Sequence, residues 1–110
     1  MEQMEIDNML QEAKKYDAEK YLAEAVKLLK RNKKIDIEIA DCEWFVVANK
    51  LILKIIYSVS GRAIILRVDE SVFKDYQRQI DAKIGIKPGM EMRHKIILRL
   101  AYLLYTHRED

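Results

Sequence analysis

The chain has 110 residues, 50% of them hydrophobic and 35% charged, with a net charge of +2 at pH 7. A chain of that length fits one domain able to bury roughly two thirds of its unfolded surface, and so small a net charge does not by itself call for a polyanionic partner. Cys42 is the only cysteine, which excludes an internal disulfide and points to a reducing, cytoplasmic setting.

The N-terminus, MEQMEID, is acidic and lacks the apolar run of a secretory signal. Residues 1–33 have helical spacing, in one piece or two. Ile6, Met9, Leu10 and Ala13 form one stripe; Ala18, Leu22, Ala25 and Leu29 form another. Asp17 is placed to cap the second piece, with Glu19 in its first turn. Tyr16 and Tyr21 stand where a hydrophobic staple puts its two members.

At Ile35 the period changes to two. IDIEI alternates as a half-buried strand does, ADCE breaks the alternation as a turn or bulge, and WFVV resumes it. Ala48-Asn49-Lys50 predicts a turn, and Ser60-Gly61 between LILKIIYSV and RAIILRV is the clearest hairpin signal. One face of that hairpin carries Leu51, Leu53, Ile55, Tyr57 and Val59. The other carries Ile52, Lys54, Ile56 and Ser58 and is only partly polar. A sheet apolar on both faces needs cover on both, from its own helices or from another subunit.

Asp69-Glu70-Ser71 offers caps for a helix with Val72, Tyr76, Ile80 and Ile84 spaced by four, ended by Gly85 and followed by a Pro88-Gly89 turn. The last helix, about 90–107, is apolar over most of its circumference, with a narrow polar stripe of Glu91, Lys95, Arg99 and Thr106. Its longest apolar run, IILRLAYLLY, is interrupted by Arg99 and too short to span a bilayer. The expected class is α+β: an N-terminal helix or helix pair, three or four antiparallel strands, then two helices.

Charge falls in blocks. Residues 1–26 carry seven acids and three bases, residues 27–34 five bases, and residues 35–48 four acids. The basic block, Lys27, Lys30, Arg31, Lys33 and Lys34, has the flexible cations that phosphate contacts need, and Arg62 beside the hairpin turn extends it. The same cations also suit the carbonyl end of a helix, where they complement its dipole. Further cations follow at Arg67, Lys74, Arg78, Lys83 and Lys87.

Catalytic patterns are sparse. Glu91 and His94 place an acid and an imidazole on adjacent turns, but no second such pair exists to build a carboxylate-bridged metal site. Cys42 lies between Asp41 and Glu43, whose charge disfavours a thiolate. Asp36, Glu38, Asp41 and Glu43 form an acidic run able to attract a divalent cation, or simply the solvent side of an edge strand. No phosphate loop, nucleophile elbow, zinc-spaced cysteine set or dinucleotide fingerprint occurs, so no cofactor is expected. The abundance of Ile, Lys, Arg and Glu over Asn and Gln is common in heat-adapted proteins.

The expected function is that of a small non-enzymatic interaction module, an oligomeric or accessory subunit with a protein interface at Ile52, Ile56, Ile65, Leu100, Leu103 and Leu104. Two alternatives accompany it. One is nucleic-acid binding through Lys27, Lys30, Arg31, Lys33, Lys34 and Arg62; the other is a metal-dependent enzyme built on the strand carboxylates. No membrane contact is expected.

Overall fold

The computed structural model describes residues 2–74 and 77–110. Two helices, α1 (Gln3–Lys14) and α2 (Ala18–Lys33), precede three strands, β1 (Ile37–Val47), β2 (Lys50–Val59) and β3 (Arg62–Asp69). A 3-10 turn (Glu70–Phe73) and two further helices, α3 (Arg78–Ile84) and α4 (Met92–Thr106), follow. The fold is α+β, as the segregation of helical and strand periods along the chain predicts.

The break between α1 and α2 falls at Tyr16–Asp17. Asp17 occupies the residue before α2, but in the left-handed region (φ 53°) and without a side-chain cap bond. The capping expectation for Asp17 is therefore wrong: with that backbone its carboxylate does not meet the first amides of α2. Tyr16 packs inward instead, its ring 5.6 Å from Trp44 and 5.4 Å from Phe73, centroid to centroid.

The strands form one antiparallel sheet in the order β1-β2-β3. Val47 pairs with Lys50 across Ala48 and Asn49, and Val59 with Arg62 across Ser60 and Gly61. All four loop residues have positive φ, the geometry of the tight turns that match strand twist. The register of β1 shifts between Ile39 and Asp41, so ADCE is a bulge rather than a turn.

Helices lie on one side of this sheet. Ile37 of β1, Leu51, Leu53, Ile55 and Tyr57 of β2, and Ile64, Leu66 and Val68 of β3 are buried beneath them. From the helices come Ala18, Leu22, Ala25 and Leu29 of α2 and Ile96, Leu100, Ala101 and Leu104 of α4. The smallest extent of the molecule is 21 Å, the thickness of two packed layers.

The segment after β3 departs from expectation. A single helix spaced by fours from Val72 to Ile84 does not form. Asp69 accepts a hydrogen bond from the Ser71 amide (2.9 Å) and so starts only the 3-10 turn. That turn drives Val72 and Phe73 into the core, and a separate short helix begins at Arg78. Tyr76 lies outside the described residues. Gly85 ends α3 in the left-handed conformation, and Gly89 turns the chain into α4, as the sequence predicts.

The largest correction concerns Arg99, expected on a polar stripe of α4. It is wholly buried. Its Nε and Nη2 donate to the two carboxylate oxygens of Asp81 (2.8 and 2.7 Å). Its Nη1 donates to the carbonyls of Val72 (3.0 Å) and Lys74 (2.6 Å). Arg99 thus fastens α3 and the 3-10 turn to α4. Desolvation is offset because a planar fork meets a carboxylate and two carbonyls at once.

Candidate functional site

Two surfaces carry the residues expected to act, and they differ in construction. The first is the side of the sheet that no helix covers. Its residues follow from the register: Glu38, Asp41, Glu43, Phe45 and Val47 on β1; Lys50, Ile52, Lys54, Ile56 and Ser58 on β2; Ala63, Ile65, Arg67 and Asp69 on β3. Rows cross the three strands. Phe45 is beside Ile52 and then Asp69, Glu43 beside Lys54 and then Arg67, and Asp41 beside Ile56 and then Ile65.

Rows that are mainly apolar therefore flank a charged row, with Glu43 at one end of it and Arg67 at the other; Asp41 and Asp69 end the flanking rows on β1 and β3. Ile65 is 53% exposed and Val47 50%, while Phe45, Ile52 and Ile56 are half-buried. Of the six expected interface residues, Ile52, Ile56 and Ile65 share this face. Leu100 and Leu104 are not on any surface: both are wholly buried between α4 and the sheet. Leu103 is half-buried against the same core. The side of α4 that carries Leu100 and Leu104 is covered by the chain's own sheet, which removes these two leucines as contacts for a partner.

The second surface is the end of the molecule where α2 and α4 finish. Lys27, Lys30, Arg31 and Lys34 recur at three- and four-residue spacing, opposite the buried Leu22, Ala25 and Leu29, and all four are exposed. Lys27 meets Glu24 (3.5 Å). Lys33 leans across to α4, its Nζ 5.2 Å from the centre of the Tyr105 ring. The guanidinium of Arg108 lies 3.9 Å from that same centre, and its Nη1 donates to the Tyr105 carbonyl (2.8 Å). Arg62, at the β2–β3 turn, donates to the Arg108 carbonyl.

The Ser60 amide donates to the Asp36 carbonyl (2.8 Å), holding that turn beside the link from α2 to β1. Three elements thus bring Lys33, Lys34, Arg62 and Arg108 to one end. Among the described residues, neither Asp36 nor Glu38 forms an ion pair with these cations. Between the turn and the end of α4 is an open depression of about 350 Å³, lined by Ile35, Val59, Ser60, Arg62, Arg108 and Glu109. Arg108 and Tyr105 are the members of this cluster that the sequence does not announce; 46 residues separate Arg62 from Arg108.

The remaining candidates are not drawn together. Among the described residues no group of three His, Cys, Asp or Glu side chains is placed to hold a metal ion. Asp41, Glu43 and Glu38 are exposed along the open side of β1. Glu91 is engaged by Arg93 (3.1 Å). His107 Nδ1 is 2.8 Å from the Leu103 carbonyl. Cys42 points to the covered side, half-buried against the core. Burial, then the charges of Glu19 and Asp41, push its thiol up, away from the thiolate a nucleophile needs. Among the described residues no helix is long and apolar enough to cross a membrane. No family model, curated protein or solved structure matches the chain.

Proposed function

We propose that the protein is a small non-enzymatic interaction module that joins a second copy of itself through the open face of its sheet. The observation that carries this reading is the one-sided cover of the sheet, which leaves Ile65 53% exposed beside half-buried Ile52, Ile56 and Phe45. Exposed apolar patches framed by charge are characteristic of association surfaces.

Charge on the same face favours a second copy as the occupant. Glu38, Asp41 and Glu43 line one edge strand, while Arg67 lies on the other in the row of Glu43. A two-fold axis running along β2 sets β1 of one copy over β3 of its partner, with each Glu43 opposite an Arg67. Lys54 then falls on the axis facing its own copy, the two cations flanked by the two Glu43 carboxylates, and Ile52 and Ile56 likewise meet their own copies. Such self-complementary pairing is the commonest form of oligomer. Strand spacing and rise give a face of roughly 15 by 30 Å. Two such faces bury about 900 Å² in total, below the roughly 1,200 Å² at which stable specific interfaces begin, so the dimer is expected to be weak and concentration-dependent.

Sedimentation equilibrium over a dilution series tests this reading. The wild-type mass is expected to rise from one chain towards two between micromolar and millimolar protein. Ile65→Asp, on an exposed position, is expected to stay folded by circular dichroism and remain a single chain. A wild-type protein that is monomeric at millimolar concentration would overturn the proposal.

A second reading, association with nucleic acid, is favoured by the convergence of cations from α2, the β2–β3 turn and the end of α4.

A further inference from the structure

We infer that this basic end binds the phosphate backbone of duplex nucleic acid, without reading its bases. The inference rests on the second reading above and names the form of nucleic acid that the end would take.

Phosphate contacts need cations spread over a front wider than one side chain, and little else. The positions of three of the cations are fixed by contacts within the chain. Lys33 and Arg108 both rest on Tyr105, and Arg62 is held by the Arg108 carbonyl. Lys30, Arg31 and Lys34 extend the front along the exposed side of α2. These six cations come from three elements, and among the described residues none of them has a carboxylate within ion-pair distance. Among the described residues, Glu109 is the one acid lining the depression between Arg62 and Arg108. Asp110 is turned towards His107, at 4.0 Å.

The placement of the aromatic side chains among the described residues favours a duplex over a single strand. Proteins that hold single strands offer aromatic faces on which unstacked bases lie. Here Tyr105 is half-buried and already in contact with Lys33 and Arg108. Tyr102 is half-buried in the groove between α2 and α4. Tyr16, Trp44 and Phe73 are packed on one another on the covered side of the sheet. A duplex keeps its bases stacked and presents two rows of phosphates, so it asks only for the cations.

The experiment is binding of the full chain to a labelled 20-base-pair duplex, a second duplex of unrelated sequence, and the corresponding single strand, each across 50–200 mM salt. Six phosphate contacts, one for each cation, give a salt slope of about −5. Affinity for either duplex is then expected to fall by about a thousandfold over that range, and the single strand to bind at least tenfold more weakly. Changing Lys33, Lys34 and Arg62 together to Ala is expected to reduce the slope by about three. Changing Lys83 and Lys87 to Ala, which lowers the charge elsewhere, leaves the slope unchanged.

Lys30→Ala with Arg31→Ala, on the exposed side of α2, is expected to reduce the slope by about two. This pair gives an independent reading should the triple variant fail to fold. Tighter binding of the single strand, or a tenfold difference between the two duplexes, would overturn the inference while leaving nucleic-acid association standing. No binding to any of the three at 50 mM salt would overturn both.

Discussion

At the turn that follows β3, the charged groups are matched by opposite charges, and the central one is enclosed. Arg99 is wholly buried against Asp81 and two backbone carbonyls. The Tyr16 hydroxyl donates to Glu70 in that turn (2.9 Å), and Glu70 also meets Lys74 (3.5 Å). At the other end, Lys33, Arg62 and Arg108 have partners too, but those partners are a ring and carbonyls rather than carboxylates. The first arrangement cancels charge and fixes the chain; the second fixes the cations and leaves their charge in place. A cation count along the sequence does not distinguish the two, because it is the partner's chemistry that decides what each cation does.

The largest expected effect breaks the enclosed end. Arg99→Ala leaves the Asp81 carboxylate and the Val72 and Lys74 carbonyls without their donor, and removing one member of a buried pair costs about 3–5 kcal/mol. Against a total of about 5–15 kcal/mol for a domain, that is a large fraction. Urea denaturation measures it, and a loss below about 1 kcal/mol would mean that Arg99 does not hold the turn.

A smaller effect is expected at Tyr16. Tyr16→Phe keeps the ring among Trp44 and Phe73 but removes the bond to Glu70, at a cost of about 1–2 kcal/mol. Burial first, and Glu70 second, push the Tyr16 hydroxyl up to about 12 from its ordinary 10. The folded chain therefore keeps a proton that the unfolded chain releases near pH 10. That stability is fully present below pH 10 and is lost as pH rises through about 12. Tyr57, which donates to the Leu104 carbonyl and is also raised to about 12 mainly by burial, acts in the same direction. Melting curves between pH 9 and 12 are expected to fall less steeply in the Phe variant; identical slopes would contradict the assignment.

Much of the fold is legible because its signals are local. The stripe from Ala18 to Leu29, the alternation from Leu51 to Val59, the Ser60-Gly61 turn and the Gly85 stop each lie within a few residues of one another. The misreadings share a different cause. Spacing by fours makes Arg99 look solvent-facing, because Asp81, its partner, is 18 residues away. Val72 and Ile84 look like one helix because periodicity is blind to the 3-10 turn that buries Val72. Leu100 and Leu104 are apolar whether a partner or the chain's own sheet covers them. At the candidate surfaces, sequence finds Lys27–Lys34, Arg62 and the partly apolar β2 face. The Tyr105–Arg108 link and the cross-strand row of Glu43, Lys54 and Arg67 emerge only once distant segments are brought together.

The smallest energies at issue belong to that row, yet they bear most directly on the proposed pairing of two open sheet faces. Glu43→Lys sets like charges opposite one another at both ends of the row in a two-fold dimer, and so does Arg67→Glu. Mixed in equal amounts, the two variants restore an opposite pair at each end. Sedimentation of each variant alone and of the mixture is the decisive measurement. Each variant is expected to be a single chain at a concentration where the mixture forms a dimer. Equal masses for both variants and the mixture would contradict the pairing of β1 over the partner's β3.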